Sequence, residues 1–411
     1  MKNKIIISMI SSILLSTSLY AGSSQHAYLY KDSRIMGMGN VNIAIGGKNA
    51  SVFSNPASIS KFKESDGFIV DLVNIQMSVS ENAIDTMNDI LDAADQSDKE
   101  DSITPLINVF SKYSGERINE NALNYTAIGQ STDLFNWSLG VLVGAELNEI
   151  IHKNGGTNGI LEIQSRSYSG IFATIAKDFP NLIPLGTLHT GLSLKLVTQQ
   201  SVEGGLGLTE LIDNQDDLLT YMEDKYLQEG TSMSPDIGII YDMDKSGNYI
   251  IDYLQPSLGI SILNIGDLDF DGYYGSQPMT VNLGLAIKPD MNGYINSLTI
   301  GIDYVDILNN NTGRFYSYGV VDGVVNSLII NEAEDTDIMK RLNIGFEAKI
   351  FDTSFWQLNL LGGLYQTNWT AGVNMRFGFI NLGASTYAEE VGFVAGDLTD
   401  RRYTAQIGFS W

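Results

Sequence analysis

The chain has no cysteine among its 411 residues. That excludes disulfides, thiol redox chemistry, a cysteine nucleophile, thiolate metal sites and a lipid-modified N-terminal cysteine. Positive charge is scarce: 24 Lys and Arg stand against 48 Asp and Glu, for a net charge of −24. Nucleic acid and anionic headgroups both need basic patches, so neither is expected as a main partner. Charged residues make up only 18% of the chain, below the roughly 25% of soluble domains. Histidine occurs three times, as His26, His152 and His189, and no Ser, His and Asp spacing marks a hydrolase. An enzyme is therefore not expected, nor a cofactor. The run Asp242-x-Asp244-x-Ser246-Gly247 opens like a calcium loop, but Tyr253 stands where the closing acid should be, so a hairpin turn explains it better and no metal site is expected. Past the N-terminus no apolar run reaches the ~18 residues of a membrane helix, so a membrane form must be a barrel.

Glycine is abundant (41), and so are aromatics, with 16 Phe, 20 Tyr and 4 Trp. The N-terminus reads as an export signal over residues 1–21: Lys2 and Lys4 precede an apolar stretch from Ile5 to Leu19, and Leu19-Tyr20-Ala21 forms the cleavage site. At the other end Tyr403, Ala405, Ile407, Phe409 and Trp411 alternate with Thr404, Gln406, Gly408 and Ser410. This period of two gives one face for lipid and one for a polar lumen. Tyr403, Ile407, Phe409 and the terminal aromatic Trp411 then make the signal for the barrel-assembly machinery. Residues 369–378 and 342–350 alternate in the same way.

Working outward from these segments predicts an all-β fold, a transmembrane antiparallel barrel of fourteen strands. They lie near 67–79, 121–130, 136–146, 158–178, 186–202, 233–243, 249–263, 277–287, 294–304, 339–350, 355–364, 369–377, 379–387 and 401–411. Short turns alternate with long loops, which is the outer-membrane pattern of a Gram-negative bacterium. The strand at 158–178 is polar on both faces between Glu162 and Ser169 and is expected to bulge. The long loops carry nearly all the net negative charge, as solvated surface or bridged by divalent cations to lipopolysaccharide. Loops 81–120 and 203–230 also show helical periodicity. Their apolar faces are expected to cap the barrel mouth or to offer a landing site for a ligand.

The segment before the first strand reads Met36-Gly37-Met38-Gly39, then Phe53-Ser54-Asn55-Pro56-Ala57. It resembles the N-terminal hatch of the FadL family of outer-membrane hydrophobe transporters. Near the C-terminus Tyr387-Ala388-Glu389-Glu390-x-Gly392 and Asp400-Arg401-Arg402-Tyr403 resemble the TraF-like, conjugal-transfer branch of that family. The resemblance implies a fourteen-stranded barrel, a hatch over residues 22–66 plugging the lumen, and a barrel over 67–411. No counterpart of the family's fatty-acid-binding residues is evident. Independently of the resemblance, the apolar Met36, Met38, Val41, Ile43, Ile45 and Phe53 argue that the segment is ordered.

Lumen-side candidates are Lys195, His189, Asp303, Glu347, Lys349 and Arg376, as ion-pair ladders filling the barrel or as a substrate filter. Two functions follow. One is passive uptake of small hydrophobic compounds through the plugged lumen. The other is a non-transporting anchor or scaffold for a secretion or conjugation apparatus. The expected partners are outer-membrane lipid, lipopolysaccharide, the barrel-assembly machinery and, for the first function, a small hydrophobic ligand.

Overall fold

Alternation decides the architecture. Along Asn136–His152, Leu139, Val141 and Val143 are about half exposed, while Asn136, Ser138 and Leu142 on the opposite face are buried. Ile171 and Ile175, then Leu192, Leu194 and Leu196, repeat the exposed band on the next two strands. A contiguous apolar band of this size is tolerated where lipid, not water, covers it.

The computed structural model describes residues 21–411 apart from 24, 64, 66, 101, 103, 153–159, 181, 208–209, 211–212, 215–216, 244–246, 292–294, 322–323 and 393. The export signal, Ala21 aside, and Asp244 and Ser246 of the calcium-like turn lie outside these described residues. The barrel strands are β1 (Phe68–Ser80), β2 (Arg117–Ser131), β3 (Asn136–His152), β4 (Ile160–Pro180), β5 (Thr187–Gly207), β6 (Leu227–Asp242) and β7 (Ser257–Leu263). They continue as β8 (Thr280–Ile287), β9 (Ser297–Tyr304), β10 (Leu342–Asp352), β11 (Trp356–Tyr365), β12 (Asn368–Phe377), β13 (Ile380–Glu390) and β14 (Thr399–Ser410). Each pairs antiparallel with its neighbours, and β14 pairs with β1 from Arg402↔Ser80 to Ser410↔Asp71, closing the fourteen-stranded barrel. All the strands expected from the sequence are present. Short turns gather at one end and long loops at the other, the periplasmic and extracellular ends of an outer-membrane barrel.

The wall is uneven. Strands β4 and β5 have 21 residues each, whereas β7, β8 and β9 have 7, 8 and 8. A strand needs only about 9–11 residues to cross the hydrocarbon, so the tall side stands well clear of it at the loop end. There the helices Ala83–Glu100, Thr104–Lys112 and Leu218–Tyr226 lie against the outer face of the wall. Ile90, Ala94, Leu106, Phe110 and Met222 pack on the outward-facing Ile118, Ile151, Leu161, Ile163 and Leu206. The apolar helix faces expected from the sequence therefore neither cap the mouth nor form a landing site. They cover wall that has left the membrane.

Three other readings are corrected. Strand β7 begins at Ser257, because Asn248 caps a short helix, Tyr249–Leu254, with its side chain accepting from the Ile250 N–H, and Pro256 follows. The loop over 305–338 contains a hairpin, Thr312–Val321 and Val324–Glu334, to which Ala21–Ser23 adds as a third strand. No bulge interrupts β4, whose pairing with β3 and β5 is continuous; the polar stretch lies above the lipid and needs no apolar face. Register shifts occur instead in β1, between Asp71 and Ile75, and in β10, between Lys349 and Phe351.

Candidate functional site

Residues 25–62 run down the inside of the barrel from the loop end to the turn end. Asp32 starts a one-turn helix, Ser33–Gly37, by accepting from the Ile35 N–H at 2.6 Å. Gly37 lies so close to the wall that a Cβ would sit 3.2 Å from the Gly372 Cα, and Gly39 turns the chain in the left-handed region at φ +69°. Asn55 is extended, as the residue before a proline must be, and Pro56 opens a 3₁₀ helix, Pro56–Lys61. Met36, Met38, Val41, Ile43 and Ile45 are buried.

A segment with no strand partner must satisfy its backbone otherwise. The Asp303 carboxylate on β9 accepts from the Asn42 and Ile43 N–H groups at 2.7 and 3.0 Å. Asn55 is fully buried; its Nδ2 donates to the Ile43, Ile239 and Ile260 carbonyls, and its Oδ1 accepts from the Ala57 N–H. Charges on the segment find carboxylates on the wall: Lys31 pairs with Glu389, Arg34 bidentately with Glu347, and Lys61 with Asp242 at 2.9 Å.

Near the turn end Ser60 Oγ lies 2.6 Å from His189 Nδ1, and His189 Nε2 lies 3.3 Å from Asp242 Oδ2. Sequence spacing gave no sign of this hydroxyl, imidazole and carboxylate series. It is arranged as a latch rather than a nucleophile. Lys61 and Ser257 hold the same carboxylate, Ser60 Oγ also donates to the Ala57 carbonyl, and none of Ser60, His189 and Asp242 lines either cavity described below.

The lumen candidates divide. Asp303, Glu347 and His189 bond to the inner segment. Lys195 pairs with Asp236 on the neighbouring strand at 2.6 Å, apart from His189. Lys349 pairs with Asp352 at 2.8 Å near the turn end, and the buried Nε of Arg376 has no partner among the described residues. Ion pairs within the wall, as at Lys195 and Lys349, thus stand beside wall-to-segment pairs such as Glu347 with Arg34. Phe53 joins Tyr30, Tyr125 and Phe172 in one aromatic cluster, with ring centroids 4.6–4.9 Å from it. Part of the C-terminal motif also faces inward: Glu389 takes Lys31, Tyr387 packs on Met36 and Arg402 bonds Gln25, whereas Glu390 holds its own loop by accepting from the Gly392, Gly396 and Leu398 N–H groups.

Sequence reasoning missed Lys31 and Arg34, and marked Glu389 only as part of the C-terminal motif. Two cations beside an apolar run were the available signal, since buried charges need partners. Replacing Glu389 with Gln should therefore leave Lys31 buried without its anion, a loss of roughly 3–5 kcal/mol. The expected result is faster proteolysis within residues 25–40 at an unchanged barrel, restored by adding Lys31→Met; equal cleavage of wild type and variant would remove the pair from the account.

Beside the segment a cavity of about 200 Å³ is lined by the apolar Tyr30, Ile43, Phe53, Phe172 and Leu263 and by the charged Lys195, Asp236 and Lys340. At its rim burial pushes the Asp335 carboxyl up, but His26 and Lys340 outweigh this and hold it down at about 2. Loop 264–276 folds inward beside it, with Leu268 and Phe270 buried. Among the described residues no group of three or more His, Asp or Glu is arranged to hold a metal ion.

No family model matches the chain, and no curated protein sequence does. Solved structures do. The toluene transporter TodX of Pseudomonas putida superposes with a TM-score of 0.51 at 11% identity, covering 94% of this chain and 99% of that one. A deltaS2 mutant of the TodX monoaromatic hydrocarbon channel gives 0.51 at 11% identity, covering 92% and 97%. At such identity the likeness is one of fold, and the fold is the outer-membrane barrel that the FadL resemblance implies.

Proposed function

We propose that the barrel admits small hydrophobic compounds passively across the outer membrane. The compound enters between the long loops, rests in the cavity beside residues 25–62, and passes when this segment, acting as a hatch, shifts. The observation that carries this reading is the cavity itself: Tyr30, Phe53 and Phe172 of the aromatic cluster line it, so a ligand there touches the hatch directly. About 200 Å³ suits a compound of one ring or a short chain, not a long-chain lipid. The fold likeness to a toluene transporter agrees with it. Within the family the TraF-like motif argues for that branch, although its residues here hold the hatch and carry no conjugation chemistry.

The scaffold reading is favoured by one feature, the buried ion pairs that fix the hatch. Exposing the purified barrel to a mixture of monoaromatic and short-chain hydrocarbons and identifying the retained molecules by native mass spectrometry separates the two. Retention by wild type and its loss in an assembled Phe172→Asp variant is the expected result. No retention by either would favour the scaffold.

A further inference from the structure

At the turn end, on the far side of the hatch from the aromatic cavity, lies a second cavity of about 440 Å³. Its lining is cationic in a chain whose net charge is −24. Arg34, Lys48, Lys288 and Lys349 face it together with only two acids, Glu347 and Asp290. Glu347 is already engaged, by Arg34 through both carboxylate oxygens and by Asn359 Nδ2 at 2.8 Å. Lys349 is paired with Asp352. Lys48 and Lys288 remain, and neither has an ion-pair partner among the described residues. Burial, and with it the Arg34 guanidinium, disfavours the charge on both ammonium groups, and an anion in the cavity would offset this. The state of Lys288 agrees: burial, helped by the charge of Lys61, pushes its pKa down to about 8, a cost that a bound anion would relieve.

The same cavity has an apolar share, from Ile45, Pro289 and Met291. Its volume greatly exceeds what one inorganic oxyanion occupies. A head with negative charge and a small apolar body fits both parts.

We propose that this cavity is an anion-binding site for carboxylates carried on small hydrophobic compounds, with Lys48 and Lys288 as the residues that bind the carboxylate. The inference deepens the uptake reading and rests on it: it adds a charged class of cargo, held on the exit side of the hatch. Both lysines lie outside the strands and make none of the hatch-to-wall bonds described above, so their replacement leaves those bonds intact.

The test is calorimetric titration of the full-length barrel in detergent at low salt with benzoate, toluene and inorganic phosphate. Lys48→Gln with Lys288→Gln should weaken benzoate binding about tenfold or more, while toluene retention in the upper cavity is unchanged. Rescue by the double replacement with Arg, which keeps both charges, is expected. Benzoate binding unaffected by the Gln pair would overturn the site. Phosphate binding as tightly as benzoate and competing with it would overturn the carboxylate assignment. Loss of toluene retention in wild type would instead strike the uptake reading, so the two failures are told apart.

Discussion

Leucine in place of Gly345 should give a barrel that assembles and conducts. Inward-facing glycines on successive strands leave the space in which the hatch runs. A Cβ on Gly238 would overlap the Asn55 amide, one on Gly259 would lie 2.5 Å from the Ile43 carbonyl, one on Gly301 2.6 Å from Val41, and one on Gly345 would overlap the Met38 carbonyl. The obstacle at Gly345 is backbone, which no rotamer change can move aside. Overpacking of this kind costs roughly 1–3 kcal/mol where neighbours can yield; here the barrel is closed by its own ladder, so the hatch is what yields. Planar-bilayer current should rise from baseline to resolved openings in Gly345→Leu. Asn55→Ala with Pro56→Gly should act in the same direction, since it removes the amide that spans Ile43, Ile239 and Ile260, with each bond worth about 0.5–1.5 kcal/mol. Variants that assemble and stay as closed as wild type would show that the hatch is held elsewhere.

Deleting Phe409 to Trp411 should reduce the folded barrel in cells roughly tenfold. These residues complete the seam: Phe409 pairs with Ile380 and Val73, Ser410 N–H donates to the Phe379 carbonyl, and Trp411 exchanges two backbone bonds with Val70 at 2.8 and 3.0 Å. Their loss leaves unpaired backbone at the membrane edge, which lipid cannot satisfy. Transferring each aromatic into an apolar surrounding is worth about 1.5–3 kcal/mol, and 1.4 kcal/mol is already about tenfold. The readout is the heat-modifiable band on unboiled gels. A normal band in the truncated strain would show that the terminal residues direct neither closure nor assembly.

What could be read from the chain and what could not divide along a physical line. Lipid imposes a period of two, so Trp369, Ala371, Val373, Met375 and Phe377 announced β12 without help from any partner. Above the lipid that constraint lapses. There the hairpin over 312–334 passed for loop, and the polar stretch of β4 passed for an irregularity. The hatch was legible as a motif because Asn55 and Pro56 act on their own neighbours. Its bonds were not legible, since Arg34 meets Glu347 and Lys31 meets Glu389 across most of the sequence, and only the closed barrel brings them together. Ser60, His189 and Asp242 are the extreme case: three elements meet at one latch with no spacing in common.

The uneven wall also sets the shape of the entrance. Between the 21-residue strands and the 7-residue strand the difference, at about 3.3 Å per residue, comes to roughly 46 Å measured along the strands. The wall itself therefore ends in an oblique cut, like a quill, and the hairpin of Thr312–Val321 and Val324–Glu334 stands over its low side, where Arg314 reaches Glu203 on β5 and the Gly272 carbonyl of the inward-folded loop. A compound approaching over that low side meets the hairpin and the inward-folded loop first. One arriving from bulk water on the opposite bearing meets the back of the tall wall and the helices that clad it.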